Sequence, residues 1–159
     1  MKIYLGTDHA GYELKNSLKE YLSELGHEVV DKGPFEYDKE DDYPDFIFPV
    51  AEAVASDTGS FGVILGGSGQ GEAMCANRVK GARAGVYYGG AGTQTDASGN
   101  VIDMVVSLRE HNNANILSIG ARFLEAEKVK EVVLKFISTP FPGNERHFRR
   151  INKLDLPRA

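Results

Sequence analysis

Along this chain, short apolar runs take turns with longer stretches in which apolar residues recur every third or fourth position. Lys2–Leu5, Glu28–Asp31, Phe61–Leu65, Ala82–Tyr87 and Ile116–Ile119 are of the first kind and predict strands. Between Gly11 and Leu25, the residues Leu14, Leu18, Leu22 and Leu25 share one helical face, and Gly26 follows as a C-cap. Pro44 suits the first turn of a second helix reaching about Ala55, although Pro49 falls inside it and is expected to delay or kink its start. A third helix covers Ala73–Val79, and a fourth ends near Glu110. Glu125–Ile137 and Asn144–Leu154 close the chain. Strand and helix in alternation predict an α/β fold, a parallel sheet with helices on both faces. No repeat or linker interrupts the pattern, so residues 1–159 read as one domain.

In such a sheet, ligands sit beyond the carboxyl ends of the strands. Three polar clusters follow strands here, namely Thr7-Asp8-His9, the run Gly66 to Glu72, and Gly120-Ala121-Arg122, and they should meet on one rim. The middle cluster, Gly66-Gly67-Ser68-Gly69-Gln70-Gly71-Glu72, carries the most chemistry. Its glycines let the backbone aim successive N–H groups at one point, and the helix behind adds its positive end. The run is not a P-loop, since Lys and Ser/Thr do not follow the last glycine, and its glycine spacing fails the dinucleotide pattern. Taken alone it is also compatible with a tight turn that holds nothing. A hydroxyl at Ser68 and a carboxylate at Glu72 suit proton transfer better than phosphate binding. The helix dipole lowers a carboxylate pKa at that position, so a basic Glu72 requires desolvation or substrate proximity.

Composition narrows the classes. The chain has 159 residues, 42% of them apolar and 26% charged, with a net charge of −5, which argues against a general nucleic-acid binder. Apolar stretches are too short to span a membrane. The single cysteine, Cys75, excludes a disulfide framework or a cysteine zinc cluster, and it reads as a small core residue. Met-Lys leads straight into a strand without the apolar stretch of a signal peptide, so the cytoplasm is the expected compartment.

Other polar residues are ambiguous one by one. Asp8 and His9 fit a helix cap and a surface histidine, and His111 fits a polar helix end. Arg146 and Arg150, four apart, share a helix face that solvent alone would explain, and His147 beside them is open to either reading. Taken together they offer an anion cradle, a carboxylate base, histidines and arginines, a set suited to a phosphorylated sugar.

At this level the chain resembles the ribose-5-phosphate isomerase B family, which includes the galactose-6-phosphate isomerase subunits. The matching segments are Asp8-His9-Ala10-Gly11, Asp42-Tyr43-Pro44, Gly67 through Glu72, Ala76-Asn77-Arg78, Arg109 through Ala114, Gly120-Ala121-Arg122, and Arg146-His147 with Arg149-Arg150. They stand in family order over essentially the whole chain. The resemblance implies a three-layer Rossmann-like sandwich with a five-stranded parallel sheet and a C-terminal helix extending to a partner subunit. It implies a homodimer or dimer of dimers with shared sites, and no role for nucleic acid or membrane. The implied activity is interconversion of D-ribose 5-phosphate and D-ribulose 5-phosphate through a cis-enediolate, without metal or organic cofactor. A hexose 6-phosphate substrate (allose or galactose) is the nearest alternative, and a non-catalytic phosphosugar sensor lies further off.

The resemblance also assigns roles. His111 assists ring opening, with Asp8 and Asn112 nearby. His9, Arg122, Arg146 and Arg150 bind the phosphate, and Tyr43 lines the sugar. Backbone amides at Gly67, Gly69, Gln70 and Gly71 hold the enediolate oxygen, while Ser68 relays a proton between the oxygens at C1 and C2. Many family members carry a cysteine base just before the glycine loop, where this chain has Gly66. The chain follows a second branch in which a glutamate at the position of Glu72 is the base. The stretch between Arg83 and Arg109 is longer than usual for the family by about a dozen residues. Its glycine-rich part, Gly89–Gly99, is expected to be a mobile surface loop that lids the site, changes substrate range or alters subunit contacts.

Overall fold

The computed structural model of the chain describes residues 1–90, 94–96 and 98–156. Five strands form one parallel sheet in the order β2-β1-β3-β7-β4: β1 Lys2–Thr7, β2 Glu28–Asp31, β3 Phe61–Gly66, β4 Ala84–Tyr87 and β7 Ile116–Gly120. The helices are α1 Tyr12–Glu24, α2 Pro44–Ser56, α3 Gln70–Ala76, α4 Met104–Asn112, α5 Ala126–Ser138 and α6 Glu145–Ile151. Two further short strands, β5 Gln94–Thr95 and β6 Val101–Ile102, pair antiparallel.

The two-residue period of the strands sorts their side chains to two cores. Ile3, Leu5, Val63, Leu65, Leu117 and Ile119 pack with Leu18 and Leu22 of α1 and with Val129, Val132, Val133 and Phe136 of α5. On the other face Tyr4, Ile64 and Ile116 meet Ile47, Val50, Ala51 and Val54 of α2 and Cys75 and Ala76 of α3. The sheet is therefore covered on both sides, as its nearly unbroken apolar strands require. The chain leaves β1 toward β2 over one face and returns to β3 over the other. β1 and β3 thus flank a topological switch point, where a crevice opens at their carboxyl ends.

Several local expectations shift. A 3-10 turn at His9–Gly11 precedes α1, because the Asp8 side chain accepts the Ala10 N–H at 3.0 Å and caps that turn first. α2 begins at Pro44 without delay and runs through Pro49. α3 starts at Gln70, three residues earlier than the apolar pattern indicates. Gly69, at φ +75°, makes the left-handed step into the helix, and Ser68 Oγ accepts the Gln70 N–H at 3.3 Å. α6 stops at Ile151, earlier than expected. Ala91–Thr93 and Ala97, within the expected Gly89–Gly99 loop, lie outside the described residues. The described residues around them form the β5/β6 hairpin rather than an irregular loop. Asp96 organises its turn, accepting the N–H groups of Ser98 at 2.8 Å and Asn100 at 2.9 Å. Among the described residues, no helix is long and apolar enough to cross a membrane.

Candidate active site

The parallel ladder pairs Thr7 with Leu65 and Gly66 with Gly120, so the three polar clusters emerge side by side at the carboxyl edge of β1, β3 and β7. Hydrogen bonds fasten them together. Thr7 Oγ1 donates to the Leu65 carbonyl at 2.9 Å, and the Ala121 N–H donates to the Gly66 carbonyl at 2.8 Å. The buried hydroxyl of Ser118 donates to the Gly69 carbonyl at 2.6 Å and fixes the far side of the glycine loop.

Glu72 stands in the first turn of α3 and is only 4% exposed. Its carboxylate fills the space above Gly66. A Cβ at that position would lie 1.9 Å from Oε1 and 2.1 Å from Cδ, so the absence of a side chain there is what admits the acid. Burial raises the Glu72 pKa above its ordinary value, its own backbone N–H works in the opposite direction, and the charge of Asp8 raises it further. Desolvation therefore outweighs the backbone N–H at the start of this seven-residue helix. A water-poor carboxylate with a raised pKa is a competent proton acceptor.

Other groups line the same rim. A Cβ on Gly71 would lie 3.1 Å from the Tyr43 ring, and one on Gly67 would lie 3.4 Å from the Arg122 guanidinium, so both side chains sit against the loop. Asp8 is buried beside Glu72, and His9 follows it, half-buried. One residue with no role in the sequence reading joins them. Asp41 Oδ1 lies 2.6 Å from His9 Nδ1 and accepts the His9 backbone N–H at 3.1 Å. Only its place beside the Asp42-Tyr43-Pro44 segment could have marked it. Among the described residues, Asp8, His9 and Asp41 are the group whose ligand atoms lie close enough to hold a cation, all within 4.8 Å of one another.

His111, Asn112, Arg146 and Arg150 gather elsewhere, around a cavity of about 530 Å³ between α4 and α6. His147 joins them, its ring stacked on that of His111 at 4.7 Å and 15°. Burial lowers the His147 pKa, and the neighbouring His111, Arg146 and Arg150 lower it further. Ser107 Oγ lies 3.1 Å from His111 Nδ1 and sets the ring's orientation. The hairpin turn supplies another wall through Asp96 and Ser98. Among the described residues, no hydrogen bond, ion pair or ring contact joins this group to the glycine-loop group. One chain thus holds two separate groups of candidate residues.

Buried Arg109 locks the second group in place. Its guanidinium donates to the carbonyls of Ala114 and Thr139 and to Asn113 Oδ1, tying the end of α4 to the end of α5 just ahead of α6. It also lies over the rings of Phe61 and Phe136. Arg109→Met leaves those acceptors buried without a donor, and we expect it to lower unfolding stability by roughly 2–3 kcal/mol in urea titrations.

Comparison with known proteins adds the decisive observation. A family model described as Ribose/Galactose Isomerase matches residues 3–154. The chain belongs to the Ribose/Galactose Isomerase family. Within that family it is 43% identical over 154 residues to ribose-5-phosphate isomerase B of Mycobacterium tuberculosis, covering 97% of this chain and 88% of the relative. It superposes with a TM-score of 0.82 and 35% identity on a crystal structure of ribose-5-phosphate isomerase B from Mycoplasma genitalium with bound ribulose-5-phosphate, covering 96% of this chain and 93% of that one. A ribose 5-phosphate isomerase from Thermotoga maritima gives a TM-score of 0.82 at 40% identity, with 97% of each chain covered. The two superposed structures share the fold described above.

Proposed function

We propose that this chain is an aldose–ketose isomerase that interconverts D-ribose 5-phosphate and D-ribulose 5-phosphate in the cytoplasm. The observation that carries the reading is the buried Glu72 carboxylate, held over Gly66 and beside a loop of backbone N–H groups. A proton α to a carbonyl is acidic only if the enediolate left behind is stabilised. Glu72 takes the proton from C2 and returns it to C1, while amides from Gly67 to Gly71 hold the charge that develops. Ser68 moves a proton between the oxygens at C1 and C2. Every step is a proton transfer, so the chemistry requires neither a metal nor an organic cofactor.

The two half-sites are combined across a subunit interface. His111 and Asn112, which open the furanose ring, and Arg146 and Arg150, which hold the phosphate, come from one subunit on α4 and α6. Glu72, Ser68, Asp8, His9, Tyr43 and Arg122 come from its partner. The separation of the two groups within one chain supports this arrangement, as does α6, whose residues are all at least partly exposed. The β5/β6 hairpin walls the phosphate side, which favours the lid among the roles open to that segment.

The test is complementation. Glu72→Gln and His111→Ala proteins are each expected to be inactive on ribose 5-phosphate with EDTA present. Unfolded together and refolded as a mixture, they regain turnover, because each mixed dimer holds one intact site. No recovery on mixing defeats the shared site. Absence of turnover by the unmodified protein, beside turnover of allose or galactose 6-phosphate, moves the substrate to a hexose.

A further inference from the structure

The Asp41 carboxylate is engaged on one side only. Oδ1 accepts the His9 backbone N–H at 3.1 Å and lies 2.6 Å from the ring Nδ1 of the same residue. Oδ2 is buried with no hydrogen-bond partner. The side chain is 6% exposed, against 26% for the imidazole. An ionised carboxylate only accepts hydrogen bonds, so the His9 proton on this side sits on Nδ1 and the ring turns Nε2 outward. Holding backbone and ring of one residue through a single oxygen removes the freedom of both side-chain torsions. A buried acid with half its capacity unmet is costly for a loop that an uncharged residue could fasten. Its position is therefore better explained by what it does to His9.

We propose that Asp41 is a positioning residue that aims His9 Nε2 at the phosphate of the substrate. The proposal rests on the isomerase reading for its substrate, but the contact it describes is open to measurement with inorganic phosphate alone. The loop is arranged for this purpose. Asp41 stands two residues before Tyr43, whose ring lies against Gly71, so one short segment delivers both a sugar-lining side chain and the brace for a phosphate-binding one. To donate to a phosphate oxygen, Nε2 must carry a proton as well as Nδ1, and a carboxylate bonded at Nδ1 favours that doubly protonated ring while fixing its orientation.

The experiment is a cycle of Asp41→Ala and His9→Ala, read by KM for ribose 5-phosphate and by calorimetric affinity for inorganic phosphate. Asp41→Ala is expected to weaken both about tenfold with kcat within about twofold, the size of one lost charge-assisted hydrogen bond. In the His9→Ala background it should add nothing. Asp41→Asn, whose side-chain oxygen can still accept both N–H groups but carries no charge, should restore part of the affinity. An equal loss with and without His9, or an Asn variant as weak as the Ala variant, overturns the proposal. A second readout needs no variant. Nitrogen-15 spectra of the histidines should show His9 protonated at Nδ1, and a proton on Nε2 alone would also overturn it. Phosphate affinity that depends on Asp41 in a protein without turnover would spare the proposal and sink only the isomerase reading.

Discussion

Glu72→Gln lowers kcat on ribose 5-phosphate by roughly 10²- to 10⁴-fold, the range contributed by a positioned general base, and leaves KM within a few fold. The amide keeps the shape and burial of the acid, so the loss isolates proton abstraction from binding. The pH dependence carries the same signature. The carboxylate is the active form, and burial holds its pKa above the ordinary value of 4.5, so wild-type kcat/KM falls with acid along a limb centred above that value. A group whose folded pKa is raised adds stability that is complete below its unfolded pKa and disappears as pH rises through the folded one. At neutral pH the ionised Glu72 therefore works against folding. The Gln variant, which mimics the protonated acid, is expected to melt at a higher temperature than wild type near pH 7 and to match it at low pH. An equal or lower melting temperature at pH 7 would mean that the carboxylate is not desolvated.

The second large effect belongs to Gly66. A Cβ there would lie 1.9 Å from Glu72 Oε1, closer than any contact between nonbonded atoms permits. Gly66→Ala is therefore expected to expel the carboxylate and reduce kcat about as far as losing the base, on the order of 100-fold or more. Gly66→Cys should do the same. Gly66→Cys combined with Glu72→Ala has room for the new side chain and puts a thiol where the acid was. This double variant should exceed Glu72→Ala by at least about tenfold and become sensitive to iodoacetamide, since a thiolate can act as the base. The unmodified protein should resist the reagent, its one cysteine being 7% exposed. Full activity in Gly66→Ala would show that the base lies elsewhere.

The same pair explains what the sequence does and does not make legible. The alternation of strands and helices, the parallel sheet and the convergence of three polar clusters follow from periodicity and from the topology of parallel sheets, which depend on short-range pattern. Glu72 is recognisable as a candidate, but the sign of its pKa shift is not, because burial is a property of everything packed around it. Asp41 is hidden for a similar reason. It lies 32 residues from His9, in an acidic stretch where composition predicts only solvated charge. Arg109 sits in a recognisable motif, yet its bond to the Thr139 carbonyl spans 30 residues and leaves no local trace. The β5/β6 hairpin is missed because two-residue strands are too short to show alternation, and glycine-rich sequence favours turns of any kind.

α6 packs two of its rings on its own chain, Phe148 against Phe141 and His147 against His111, but fully buries none of its seven residues. A helix this short gains little from its own hydrogen bonds, and its stability must come from whatever lies against it. The arginines proposed to hold the phosphate are thus borne on a segment at the weak end of the molecule's stability range. Any loosening of that segment is linked by mass action to its occupancy. The affinity measured for a phosphosugar is accordingly a net quantity, reduced by the work of ordering the helix. Anything that keeps α6 wound before the ligand arrives tightens binding without touching the ligand.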